Sequence, residues 1–139
     1  MGKILALDLG DQWIGSALSD SSKMLARPFR TVLVSDLESF LEQVLADESI
    51  EQVIIGYPKT MAGKISQQTQ KIIETHKKLT ERFPGVSFVL WDERLSSKRA
   101  HALSKARTPQ EKQRSHSIAA AFVLDSFLEY LLYHKDTAH

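Results

Sequence analysis

A chain of 139 residues, 42% of them hydrophobic, is long enough to bury one good core and has the size of a single domain, 1–139. It contains no cysteine, which excludes disulfides and thiolate metal sites, and no run approaches the roughly 20 apolar residues of a membrane span. The formal net charge of +1 points to no class of partner by itself.

Met1-Gly2-Lys3 leads straight into an apolar run with no signal-peptide pattern, so a cytoplasmic protein is expected. Lys3 to Asp8 reads as the first strand and Trp13 to Ser19 as the second, joined by a turn at Gly10-Asp11. Asp8 then ends a buried strand, where a carboxylate is costly unless it binds something. Capping the backbone N–H groups of the turn is its alternative role. A turn over Asp20–Lys23 and a third extended piece, Met24 to Val34 with Pro28 interrupting its ladder or placing it on an edge, complete an antiparallel meander. Ser35-Asp36-Leu37-Glu38 fits a capping box, so a helix starts there, with Leu37, Phe40, Leu41, Val44 and Leu45 as its buried stripe.

Gln52 to Gly56 is a β-branched run that suits a buried strand, ended by Tyr57-Pro58. A loop at Ala62-Gly63-Lys64 precedes a helix with Ile65, Thr69, Ile72, Ile73, His76, Leu79 and Phe83 on one face, stopped by Pro84-Gly85. On that apolar stripe His76 reads as a structural histidine. Val86 to Trp91 is the last strand and runs into Asp92-Glu93-Arg94-Leu95. Ser96-Ser97 opens a short helix through Leu103, and Thr108-Pro109-Gln110-Glu111 is a second capping pattern. The final helix starts there or nearer Ser115. Leu124, Phe127, Leu128, Leu131 and Leu132 form its apolar side, and His116 shares a face with Ala119, Ala120 and Val123. The tail after Tyr133 is expected to fray.

The order β-β-β-α-β-α-β-α-α, with right-handed crossovers, predicts an α/β fold with a mixed five-stranded sheet in the order 3-2-1-4-5, its first three strands antiparallel and helices on its faces. Ligands in such sheets gather beyond the carboxyl ends of the parallel strands. Asp8, Gly56-Tyr57-Pro58 and Asp92-Glu93 all fall there. From Arg94 to Arg114 seven Lys or Arg stand against one acid, Glu111. Such a run is either a solvated face or the grip on an anionic polymer held over a metal site.

Asp8-Leu9-Gly10 followed by Ile14-Gly15-Ser16-Ala17 and Ser19-Asp20 resembles the first motif of the YqgF (RuvX) family. Gly56-Tyr57-Pro58 with Gly63 is similar to its second motif, Asp92-Glu93-Arg94-Leu95-Ser96 to its third, and Ser117-Ile118-Ala119-Ala120 with Leu124 to its C-terminal helix. The resemblance spans nearly the whole chain. It implies a ribonuclease-H-like fold and a nuclease that processes the 5′ end of precursor 16S rRNA, with Holliday-junction resolution as an older suggestion. It also implies that Asp8, Glu93 and the residue at 116 form a metal-binding, catalytic set. The chain departs from the family at that last position, where Asp is usual and His116 stands.

Phosphodiester hydrolysis by such a set can use two divalent ions, Mg²⁺ or Mn²⁺, held by carboxylates from different elements. Strand alternation sends Asp92 and Glu93 to opposite faces, and Glu93 is favoured for its reach and the family match. Asp92 is the second candidate metal ligand, or else pairs with Arg94 or caps the following helix. One strand lies between Asp8 and Glu93, a gap of roughly 9–10 Å. His116 as a ligand would favour Mn²⁺; its other role is packing at a helix start. Lys98, Arg99, Lys105 and Arg107 are expected to hold phosphates, and Gly10, Gly56, Tyr57, Pro58 and Arg94 complete the substrate-binding edge. Tyr57 either stacks on an unpaired base or packs beside Pro58. The reading favoured is an endonuclease for structured RNA, precursor rRNA above all. The alternatives are a resolvase-like enzyme for branched DNA, which a homodimer with two sites facing one junction would favour, and a non-catalytic RNA-binding module.

Overall fold

The structure is a computed structural model that describes residues 2–57, 67–92 and 108–134. Five strands form one sheet: β1 (Lys3–Leu9), β2 (Trp13–Ser19), β3 (Ala26–Leu33), β4 (Ile50–Tyr57) and β5 (Ser87–Asp92). The helices are α1 (Leu37–Asp47), α2 (Gln67–Arg82) and α3 (Pro109–His134). The sheet order is β3-β2-β1-β4-β5, antiparallel across the meander and parallel from β1 to β4 to β5, as the sequence predicts.

The pleat of β1 divides the core in two. Leu5, Leu7 and Leu9 point to one face, where they join Val53 and Ile55 under α1 and α2. Ile4 and Ala6 point to the other, where Ala17 and Ile54 meet Ala120, Val123, Leu124, Phe127 and Leu128 of α3. Small residues on both sides of this second interface, Ala6 and Ala17 against Ala119 and Ala120, let α3 lie close to the sheet. Each large aliphatic side chain buried here contributes about 1.5–3 kcal/mol.

Three local expectations meet different outcomes. The box at Thr108 forms: the Thr108 N–H donates to Glu111 Oε2 (3.2 Å) and the Glu111 N–H donates to Thr108 Oγ1 (3.1 Å), which starts α3 at Pro109. The box at Ser35 does not. The chain leaves β3 through a 3₁₀ turn, Val34–Asp36, so Ser35 sits inside a turn and α1 begins at Leu37 without a side-chain cap. Leu132 is 53% exposed, because each four-residue step in an α-helix advances the stripe by about 40° and carries it off the sheet, while Leu131 stays in contact.

Pro28 lies in the edge strand, where a missing N–H is tolerated. The β2–β3 register slips next to it, between Gly15 and Ala17. Ser16 fills the irregularity: its hydroxyl donates to the Arg30 carbonyl (2.6 Å) and accepts from the Arg30 N–H (3.0 Å). His76 is structural, its Nε2 2.7 Å from the carbonyl oxygen of Phe88. A carbonyl can only accept, so Nε2 carries the proton. Ile65, the short helix through Leu103 and the tail from residue 135 lie outside the described residues.

Candidate active site

The pairings across the sheet place five residues in one transverse row. Thr31 of β3 pairs with Gly15 of β2, Gly15 with Asp8 of β1, Asp8 with Gly56 of β4, and Gly56 with Trp91 of β5. Directly paired residues point to the same face of a sheet. The row therefore shares the α3 side with Ile4 and Ala6. Asp8 is the charged member, 1% exposed, with a glycine on each flank. A large side chain at either neighbour would cover the carboxylate; glycines leave the space above it to α3 and to a ligand.

Two ties hold α3 over this row. At the β3 end the Thr31 hydroxyl donates to the carbonyl of Gln113 (2.6 Å) and shares a hydrogen bond with the Ser117 hydroxyl. At the β5 end the Trp91 Nε1–H donates to Ser126 Oγ (2.8 Å), and the indole meets Phe127 edge-on. Between them the backbone of His116 lies directly over Gly15. A β-carbon at Gly15 would be 2.0 Å from the His116 carbonyl oxygen and 2.7 Å from the Ser117 nitrogen.

That approach puts the half-buried His116 imidazole against the β1–β2 turn. A β-carbon at Gly10 would lie 3.3 Å from His116 Cε1 and 3.7 Å from Nδ1. The turn itself is closed by Gly10 N–H donating to the Trp13 carbonyl, 3.0 Å. Asp8 and His116 are thus brought to the same end of β1 from elements 108 residues apart in sequence. Both side chains have interaction partners, and the Oδ2 atom of Asp8 is buried without a hydrogen bond among the described residues. A buried carboxylate oxygen and an imidazole brought to one strand end are donor types that suit a divalent cation. Among the described residues no three His, Asp or Glu side chains converge as a metal group.

The other predicted site residues distribute as follows. Gly10 and Gly56 border Asp8 and His116. Tyr57 is half-buried and packs against the cluster under α1 and α2, one step past Gly56 and on the other face. The backbone of Asp92 pairs with Tyr57. Glu93, Pro58, Arg94, Lys98, Arg99, Lys105 and Arg107 lie outside the described residues. Thr31 and the packing role of Gly15 went unnoticed in the sequence. A lone glycine inside a strand pattern is a sign of close backbone approach, so Gly15 could have been found; nothing in the sequence marks Thr31.

A family model described as "RuvX: Holliday junction resolvase" matches residues 2–130. The chain belongs to the RuvX family. It is 36% identical over 129 residues to a Rubrobacter xylanophilus protein named "Putative pre-16S rRNA nuclease", covering 92% of this chain and 93% of that one. A protein of the same name from Desulfitobacterium hafniense is 34% identical over 133 residues, covering 93% of each. Among solved structures, RuvC of T. thermophilus in complex with a Holliday junction substrate aligns over 95% of this chain and 96% of that one with a TM-score of 0.58. At 13% identity that likeness shows the shared ribonuclease-H-like fold alone. The family and fold that the motifs imply are therefore correct for this RuvX chain. Among the described residues no helix is long and apolar enough to cross a membrane.

Proposed function

We propose that this RuvX protein is a divalent-metal-dependent endonuclease, one domain over 1–139, that cleaves structured RNA in the cytoplasm, with precursor 16S rRNA as its substrate. The observation that carries the reading is the pairing of a buried Asp8, set between two glycines, with an imidazole at the same strand end. The names of its relatives support the substrate.

Asp8, Glu93 and His116 would hold the cation, with Asp92 as a further oxygen donor. A bound divalent ion supplies a nucleophilic water at neutral pH and charge neutralisation on the phosphoryl oxygens. Asp8 would offer its carboxylate oxygen to the ion from between the two glycines. His116 contributes a nitrogen lone pair when neutral, a softer donor than the aspartate usual at this place, and favours Mn²⁺ over Mg²⁺. Lys98, Arg99, Lys105 and Arg107, with Arg94, hold the flanking phosphates and orient the chain for in-line attack. Gly10 and Gly56 let the phosphate backbone approach the carboxylate closely.

The second reading is branched DNA, favoured by the description of the matching family. Purified protein incubated with precursor 16S RNA and with a four-way DNA junction, each with Mg²⁺, Mn²⁺ or chelator, separates the two. Metal-dependent cleavage of the RNA supports the proposal. Cleavage of the junction alone supports the second reading, and binding to RNA without cleavage under any metal makes the protein a non-catalytic module.

A further inference from the structure

The opposite face of the sheet from Asp8 carries a cleft of about 370 Å³, between α1, α2 and the β1–β2 turn. That is within the range of small-molecule sites, about 300–1,000 Å³. Edges of the buried Leu9, Ile14, Ile72 and Leu79 form its floor. Lys71 and Lys78, two turns apart on α2, stand at its rim with Glu74 between them. Among the described residues no salt bridge engages these three, whereas Arg82 farther along α2 pairs with Glu38 and Glu42.

The cleft and the active site share a wall. Gly10 lines the cleft, and the His116 ring lies against the same residue. Gly10 is two residues beyond Asp8, in the turn that closes the same end of β1. A strand with a phosphate over Asp8 therefore brings its neighbouring nucleotide to the cleft mouth.

The lining selects which part of that nucleotide enters. Lys71 and Lys78 attract a phosphate to the rim, and Asp11, Glu38 and Glu74, exposed like them, oppose its passage inward. A nucleobase fits the interior: its faces are apolar enough for the floor, and an exocyclic amine donates to a carboxylate. We propose that this cleft binds an unpaired, amino-bearing nucleobase of the nucleotide next to the scissile phosphate. The proposal rests on the nuclease reading for its placement on the substrate and on the cleft alone for its binding.

The test is a methyl NMR titration of chelator-treated full-length protein with cytidine and uridine 5′-monophosphates, which differ by an amine against a carbonyl. Cytidine monophosphate should shift the methyls of Ile14, Ile72 and Leu79 saturably and bind about tenfold tighter than uridine monophosphate, the worth of one charge-assisted hydrogen bond. Glu74→Gln should erase that preference, and Lys71→Ala with Lys78→Ala should weaken both nucleotides. All three residues are exposed, so these variants keep the fold. Absence of saturable shifts in the cleft methyls, or an undiminished preference in Glu74→Gln, would overturn the proposal. Neither readout uses metal or cleavage. Cleft binding in a protein that cuts no nucleic acid defeats the nuclease reading and leaves the cleft assigned; cutting without cleft binding does the reverse.

Discussion

The carbonyl oxygen of His116 lies 2.0 Å from where a β-carbon on Gly15 would stand. Backbone meets backbone here, so no rotamer change can make room. Gly15→Ala must lift the first turns of α3 from the sheet, and overpacking of this kind costs about 1–3 kcal/mol. Urea denaturation should show a loss in that range or above it, and the His116 ring resonances should move. A variant as stable as the native protein, with an unmoved imidazole, would mean that α3 does not rest on Gly15.

Thr31 fixes the same helix from the edge strand through Gln113 and Ser117. Thr31→Val removes the hydroxyl and keeps the shape, leaving the Gln113 carbonyl without that donor. A loss of about 0.5–1.5 kcal/mol is expected, with Thr31→Ser close to native. A native-like Val protein beside a destabilised Ser protein would assign the effect to the methyl group instead.

Asp20 belongs to the first family motif, yet its carboxylate is occupied by its own turn. It accepts a hydrogen bond from the Ser22 hydroxyl and from the N–H groups of Met24 (2.8 Å) and Leu25 (3.0 Å). The Ser22 bond first, then the backbone N–H groups, hold its pKa at about 2, below the ordinary 3.8. A carboxyl depressed on folding stabilises the protein above its unfolded pKa and loses that contribution as pH falls through the folded one. The stability gap between native and Asp20→Asn proteins should therefore be constant near neutrality and close between about pH 4 and 2. A gap that stays constant to pH 2 would contradict this role.

The fold was legible because its signals are local and repeated. Three strands with short connections can only form a meander, and the β-α-β spacing after it leaves one handed arrangement. The candidate site was legible in part: Asp8 stood out as a carboxylate ending an apolar strand, where the structure also has it. The row from Thr31 to Trp91 was not, since it depends on registers, including the slip at Ser16, that no spacing encodes. The failed box at Ser35 shows the limit of motif reading. The residues match, but the chain turns into α1 through a 3₁₀ segment that denies them the required geometry.

Substitution of His116 tests its proposed place in the metal site directly. His116→Asp should restore use of Mg²⁺, His116→Ala should impair cleavage with both metals, and the native protein should work better with Mn²⁺. Cleavage rates for the three proteins in each metal measure this. Equal rates for native and Ala proteins would make His116 a packing residue only.

Neutralising Lys98, Arg99, Lys105 and Arg107 should weaken RNA binding at every sequence. It should also reduce the log–log salt slope by roughly 0.7 per lost contact with a single strand. Binding measured across a salt series reads both quantities, and an unchanged slope in the quadruple variant would leave the basic run a solvated face.

The measurement that bears most directly on the whole account is cleavage of precursor 16S RNA by native and Asp8→Asn proteins side by side, with Mn²⁺, Mg²⁺ and chelator. Asn keeps the size of the side chain between Gly15 and Gly56 and removes the charge that would hold a cation. The native protein should cut only with metal, and the Asn variant, folded as shown by an unchanged spectrum and melting curve, should lose at least about a hundredfold in rate, the scale on which one electrostatic contact acts in catalysis. Native-like, metal-dependent cutting by Asp8→Asn would contradict the central claim.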